Sequence, residues 1–265
     1  MDIRDAPRVS ICIPVFDRKR FLPLIIENLK NIWYPKDKLE VVILDSWGKD
    51  GDVAEPLFKS EDEIKHYRRI IGMPIKYEYK KEALQIGKKR NMLVKMATHN
   101  YCINMDSDDI YFPHYVLYSI RTLVDNKKDC CGSPQMLFLY PYDKFRITGI
   151  QCKALRQIHE ATMCYTKKHW KRMGGFQSSS QGEGAGMVDG CNEKIFMKTE
   201  ISKCMICICH EDNTIKKDKF NRDDILVKDV DLYRLPHIQV LCKILNLNLP
   251  EIEKQISKTT TQEKQ

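Results

Sequence analysis

Three carboxylates fall within four residues at Asp106-Ser107-Asp108-Asp109, directly after the apolar run YCINM. Like charges that close repel one another, so the cluster is costly unless a cation neutralises it. Oxygen ligands of this kind suit Mg²⁺ or Mn²⁺, ions that commonly bridge a carboxylate to a diphosphate. The plainer alternative is an acidic cap for a helix beginning near Tyr111, a task one Asp can fulfil. Upstream, Gly87-Lys88-Lys89-Arg90-Asn91 supplies cations. Lys88 or Arg90 could hold phosphate oxygens there, although such a run also reads as a solvated helix face. Asp45 closes the run LEVVIL and could accept hydrogen bonds from a base or ribose, or simply start a turn. Cys204, Cys207, Cys209 and His210 form half of a zinc-like pattern, but a structural zinc site recruits two separated ligand pairs. Read as a strand, that stretch puts Cys207 and Cys209 on one face and Ile206 and Ile208 on the other, which favours buried free thiols. His210, with Asn213 nearby, is either a further ligand for the cation or diphosphate or a structural histidine.

The elements that must position these groups follow from hydrophobic periodicity. Strands are predicted over residues 9–15, 39–44, 75–79 and 101–105, with helices over 21–32 and 83–97 between them. Such alternation implies βαβ units and a mostly parallel sheet, because parallel strands need long crossovers. In an open sheet of this kind, ligands bind outside the carboxyl ends of the strands, where Asp45 and Asp106 fall. Further strands over 136–140, 145–150, 161–166 and 201–209 lack long helices between them and predict a mixed sheet. Residues 177–186 (QSSSQGEGAG) read as a mobile loop after Gly174-Gly175. An amphipathic helix is expected near 235–247, and the polar end SKTTTQEKQ is expected to fray.

Composition narrows the function classes. Hydrophobic residues make up 43% and charged residues 30% of 265, a globular balance that argues against disorder. The net charge of +8 favours an anionic partner without choosing one. No apolar run reaches the ~18 residues a bilayer span requires. MDIRDAPRVS lacks an apolar signal core, and the eleven cysteines are an odd number. Free thiols in a reducing cytoplasm are therefore expected.

In order along the chain, VSICIPVFDRKRFLPLIIENL, LEVVILDSWGKDGD and IGKKRNMLVKMATHNYCINMDSDDIYFP resemble the family 2 glycosyltransferases of GT-A fold. The resemblance covers roughly residues 8–113, and more loosely 160–213. It implies a Rossmann-like α/β domain over 1–215, with a nucleotide-sugar-binding half (1–110) and an acceptor half (111–215), followed by a helical, polar extension (216–265). It implies inverting transfer from a nucleotide-sugar donor, UDP-linked first among them, to a carbohydrate or glycoconjugate acceptor, aided by Mn²⁺ or Mg²⁺. Pro14, Val15 and Phe16 would line the nucleoside pocket and Asp45 would bind the base. Lys88, Arg90 and Ser107 would sit at the donor, and Asp106 and Asp108, with His210, at the metal. Asp109 would cap the next helix or meet donor hydroxyls. The family usually supplies a Glu-Asp pair after Gly-Gly-Phe; here Gly174-Gly175-Phe176 is followed by Glu183 and then Gly184. Glu183 is the expected base and Asp189 its substitute.

Three other readings stand beside this one: a nucleotidyltransferase, a donor-binding but degenerate transferase, and a basic nucleic-acid- or zinc-binding module. IPVFDRKRF lacks the glycines of a phosphate loop. No stripe of basic and aromatic residues marks a nucleic-acid surface, so no nucleic-acid partner is expected. The basic tail leaves room for peripheral membrane contact.

Overall fold

Val9–Phe16 (β1) is buried almost throughout, as a central parallel strand must be. In this computed structural model the described residues are 1–47, 55–192, 194–213, 216–227 and 236–248. Leu22–Lys30 (α1) starts with Pro23 in its first turn and leads to Leu39–Ser46 (β2). Glu61–Ile71 (α2) follows, with Ser60 capping Glu63 N and Gly72 ending the helix at φ +69°. Then come Ile75–Lys80 (β3), Ile86–Met96 (α3) and Tyr101–Asn104 (β4). Alternate residues divide the core in two. Ile11, Ile13, Val41 and Ile43 pack on the α1 side, while Cys12, Val42 and Leu44 pack with Leu93 and Val94 of α3.

Ile110–Tyr111 (β5) and Tyr115–Asp125 (α4) come next. The helix expected near Tyr111 therefore starts four residues later, and the aspartate cluster caps no helix. Pro113 disfavours helical backbone at Phe112, and β5 is occupied in pairing with a later strand. The remaining elements are Cys130–Gly132 (β6), Gln135–Tyr140 (β7), Arg146–Gln151 (β8), Cys164–Thr166 (β9), Lys167–Arg172 (α5), Ala185–Val188 (α6), Phe196–Lys198 (β10), Met205–Ile208 (β11) and His237–Ile244 (α7).

The larger sheet runs β10-β6-β9-β4-β1-β2-β3; β9 is antiparallel to both its neighbours and the other pairs are parallel. A second sheet, β5-β11-β7-β8, stands beside it. Ile238, Leu241 and Cys242 of α7 join the α1-side core, so this helix belongs to the body of the fold. The polar end SKTTTQEKQ, much of the 216–265 extension and most of the turn after Asp45 lie outside the described residues. Among those described, no helix is long and apolar enough to cross a membrane.

Candidate functional site

A cavity of about 510 Å³ opens beyond the carboxyl ends of β1 and β4. β1 delivers Pro14 and Phe16 to it, and the turn after it delivers Arg18. That turn needs Asp17 at φ +49°, a left-handed conformation that Asp and Asn tolerate better than most residues. β4 delivers Asp106, Ser107, Asp108 and Asp109. α3 lies across the sheet with Lys89 and Arg90 facing the cavity.

The charges are paired in a lattice. Arg90, 2% exposed, donates from Nε to Glu183 Oε1 at 2.9 Å, and its Nη2 lies 2.9 Å from Asp106 Oδ1. Burial opposes the guanidinium charge, but Asp106 and Glu183 outweigh it and raise its pKa. Burial pushes Asp106 up despite Arg90. Burial also works against the Asp108 charge, yet His210 and Arg18 hold that carboxyl well below the usual range. Arg18 Nε donates to Asp108 Oδ2 at 2.9 Å, and His210 Nε2 stands 3.2 Å from the same oxygen. His210 does not line the cavity; it backs Asp108 from between Asn213 and the Phe21 ring. Asp109 accepts Ile208 N at 2.9 Å, tying the cluster to β11, and burial raises it to about 7.

Several expected residues lie elsewhere. Lys88 is exposed, and Lys89 takes the inward place, because one residue turns a helix by about 100°. Lys89 Nζ donates to Val15 O at 2.8 Å and sits 4.7 Å from the Phe16 ring centre; burial lowers it to about 7. Val15 thus serves through its carbonyl, its side chain being in the core. Asp45 is buried outside the cavity lining, where its Oδ2 accepts Leu57 N and Tyr77 Oη, each at 2.8 Å, and burial raises it. Asp189 is on the surface in an ion pair with Arg156 and does not reach the cavity.

The loop expected over 177–186 is exposed at Gln177, Ser178 and residues 180–182, touches α3 through its backbone, and turns inward at Glu183 and Gly184, which are buried. Gly87 N donates to Ser179 O at 3.0 Å, and a Cβ at Gly87 would lie 1.8 Å from Gln177 O. Gly175, at φ +85°, is similarly pressed against Asn91. These two glycines let the segment close down until Glu183 is only 4% exposed. Beside it lies Glu160, which the sequence did not single out. Burial raises Glu160 to about 7, and the Glu183 charge adds to the shift.

The far wall is made by the second sheet. Met136 and Phe138 of β7, Cys207 of β11, Lys217 and Phe220 line it, with Phe138 and Phe220 stacked at 4.9 Å. His159 Nε2 meets Cys207 Sγ at 2.9 Å, and burial lowers that imidazole to about 3. Cys204 instead donates toward Glu200 O, so the cysteines of the zinc-like pattern turn to separate neighbours. All eleven cysteines are free.

Residues 10–175 match the model of the family described as Glycosyl transferase family 2. The chain belongs to this family. A 123-residue stretch is 28% identical to abequosyltransferase RfbV of Salmonella typhimurium, covering 46% of this chain and 34% of that protein. This family member therefore spans about a third of the curated relative it matches. Its fold is similar to the mannosyltransferase PcManGT from Pyrobaculum calidifontis, solved with GDP-Man and Mn²⁺: TM-score 0.58, 15% identity, 83% of this chain and 60% of that one. It is also similar to S. aureus TarS 1-349 in complex with UDP: TM-score 0.57, 16% identity, 76% of this chain and 60% of that one. The mixed α/β architecture is thus that of the GT-A glycosyltransferases.

For this family 2 member, two buried atoms test whether a divalent cation fits. Asp106 Oδ1 and Arg90 Nη1 have no hydrogen-bond partner among the described residues, although Oδ1 is in ionic contact with Arg90 Nη2. A buried carboxylate oxygen held only by an ionic contact, and a buried guanidinium donor with no acceptor, suit a cation and the phosphate oxygen it carries. Among the described residues no three His, Cys, Asp or Glu side chains converge as a ready-made metal cluster. Asp106 and Asp108 would be the protein ligands, and further oxygens would come from the diphosphate.

Proposed function

We propose that this chain transfers a sugar from a nucleoside-diphosphate donor, UDP-linked first among the candidates, to a carbohydrate or glycoconjugate hydroxyl with inversion. The observation that carries the reading is the charged wall: Arg18, Lys89 and Arg90 flank Asp106 and Asp108 in one cavity. Phe16 and Pro14 offer an apolar ledge for the nucleoside. Lys89 and the unpaired Arg90 Nη1 are the phosphate donors. A bound Mn²⁺ or Mg²⁺ on Asp106 and Asp108 would act as a Lewis acid on the departing diphosphate. The second-sheet wall, with stacked Phe138 and Phe220, would receive the acceptor. Glu183 and Glu160 are the cavity carboxylates outside the aspartate cluster, and one of them takes the acceptor proton. The free thiols favour a reducing cytoplasm as the working compartment.

The test is release of nucleoside diphosphate from UDP-glucose, UDP-N-acetylglucosamine and GDP-mannose with Mn²⁺, with and without a glycan mixture. Turnover of one donor supports the reading. Nucleotide binding without turnover of any donor would favour the degenerate alternative.

A further inference from the structure

Five carboxylates line the cavity, and four are already committed. Asp106 and Glu183 are held by Arg90, Asp108 by Arg18 and His210, and Asp109 by the backbone of β11. Glu160 differs. Among the described residues it has no ion pair, and its carboxylate accepts one long hydrogen bond, from Gly184 N at 3.3 Å. It is partly open to the cavity while Glu183 is buried. A base must keep a lone pair free and within reach of the incoming proton, whereas Glu183 is buried with its Oε1 taken up by Arg90 Nε.

We propose that Glu160 is the general base of the transfer, and that Glu183 is a positioning residue that holds Arg90. This rests on the sugar-transfer reading above. In the step, the acceptor oxygen bonds to the anomeric carbon as its proton passes to a Glu160 carboxylate oxygen. The bond from that carbon to the diphosphate oxygen breaks, and its electron pair leaves with the nucleoside diphosphate. Position 184 explains why a residue distant in sequence can serve. A Cβ built on Gly184 would lie 2.5 Å from Glu160 Cγ, so the Glu160 side chain fills the space that a side chain at 184 would take. Gly184 has φ −76° and ψ −14°, a conformation any L-residue accepts.

That overlap supplies the experiment. Donor hydrolysis, with water as acceptor, is measured for the nucleotide sugar the wild type turns over, alongside Mn²⁺-UDP and Mn²⁺-GDP affinity. Glu160→Gln should lower turnover by about 100-fold or more while nucleotide affinity stays within about twofold. Glu183→Gln should instead weaken nucleotide affinity, because Arg90 loses one of the two carboxylates that orient it. In Glu160→Ala the space is vacated, and adding Gly184→Asp should restore turnover at least about tenfold over the single variant. Added to the wild type, Gly184→Asp should lower turnover, since the two side chains collide. Glu160→Gln turning over within about threefold of wild type would overturn the assignment. So would a failure of Gly184→Asp to restore turnover to a folded, nucleotide-binding Glu160→Ala protein. A wild type that binds nucleotide but turns over no donor, with water or with the glycan mixture as acceptor, would overturn the transfer reading itself.

Discussion

The two walls of the cavity are built on opposite plans. On the α3–β4 wall the charges are held in place: Arg90 spans Asp106 and Glu183, Arg18 and His210 share Asp108, and Lys89 rests on the Val15 carbonyl. The wall made by β7, β11 and residues 217–220 is mainly apolar and aromatic, with Lys217 its cation. Preorganised charge costs no reorganisation when a diphosphate arrives, whereas an apolar shelf selects by shape and stacking. Under the proposed function, the charged side would fix the chemistry and the apolar side would choose the acceptor.

The contrast breaks most sharply at the aspartates. Replacing Asp106 and Asp108 together by alanine should reduce donor turnover by at least about 10³-fold, measured as nucleoside-diphosphate release. Arg90→Ala comes next. It leaves buried Glu183 and half-buried Asp106 without their cation, so unfolding should be about 3–5 kcal/mol easier in a denaturant titration. Arg90→Lys should recover little, because one ammonium cannot reproduce the fork that serves both carboxylates.

Glu40 sharpens the comparison from outside the cavity. Burial would raise this carboxyl, yet Ser10, Thr98 and Lys76 hold it down to about 2. Its folded value thus lies below its unfolded one. The stabilisation is fully present above about pH 4.5 and is lost as the pH falls toward 2. Glu40→Gln should lower stability by about 2 kcal/mol at pH 7 and flatten the acid side of a melting-temperature profile, with nucleotide affinity unchanged. The smallest effect belongs to the other wall. Phe220→Ala should raise the acceptor KM by a factor of about 3–10 through loss of the Phe138 stack, leaving UDP affinity as it was.

Much of the α3–β4 wall was legible because strands and their end residues announce themselves locally. β1, β2, β3 and β4 begin where the apolar runs predict and end within two residues of them, and Asp106 and Asp108 fall where a strand-end cluster must. Rotation about a helix was less legible: Lys88 and Lys89 differ by one position, and only packing of α3 decides which turns inward. Glu183 looks like a solvated loop residue until Gly87 is seen to admit the chain against α3. Glu160 carries no motif at all, since it sits in a short turn and meets Gly184 only in three dimensions. Arg18 had a signal, the basic residue following Phe16-Asp17, which the sequence reading left unassigned. α2 was also passed over, although Ser60 and Glu63 spell its first turn. β6 and β10, three residues each, are too short to show a period.

The central claim is that Asp106 and Asp108 bind a divalent cation together with a nucleoside diphosphate. Thermal unfolding of the wild type and of the doubly alanine-substituted protein, with UDP or GDP and with or without Mn²⁺, tests it most directly. The account predicts a rise in melting temperature that needs both nucleotide and Mn²⁺ and disappears in the variant. The same rise in both proteins, or none with either nucleotide, would contradict it.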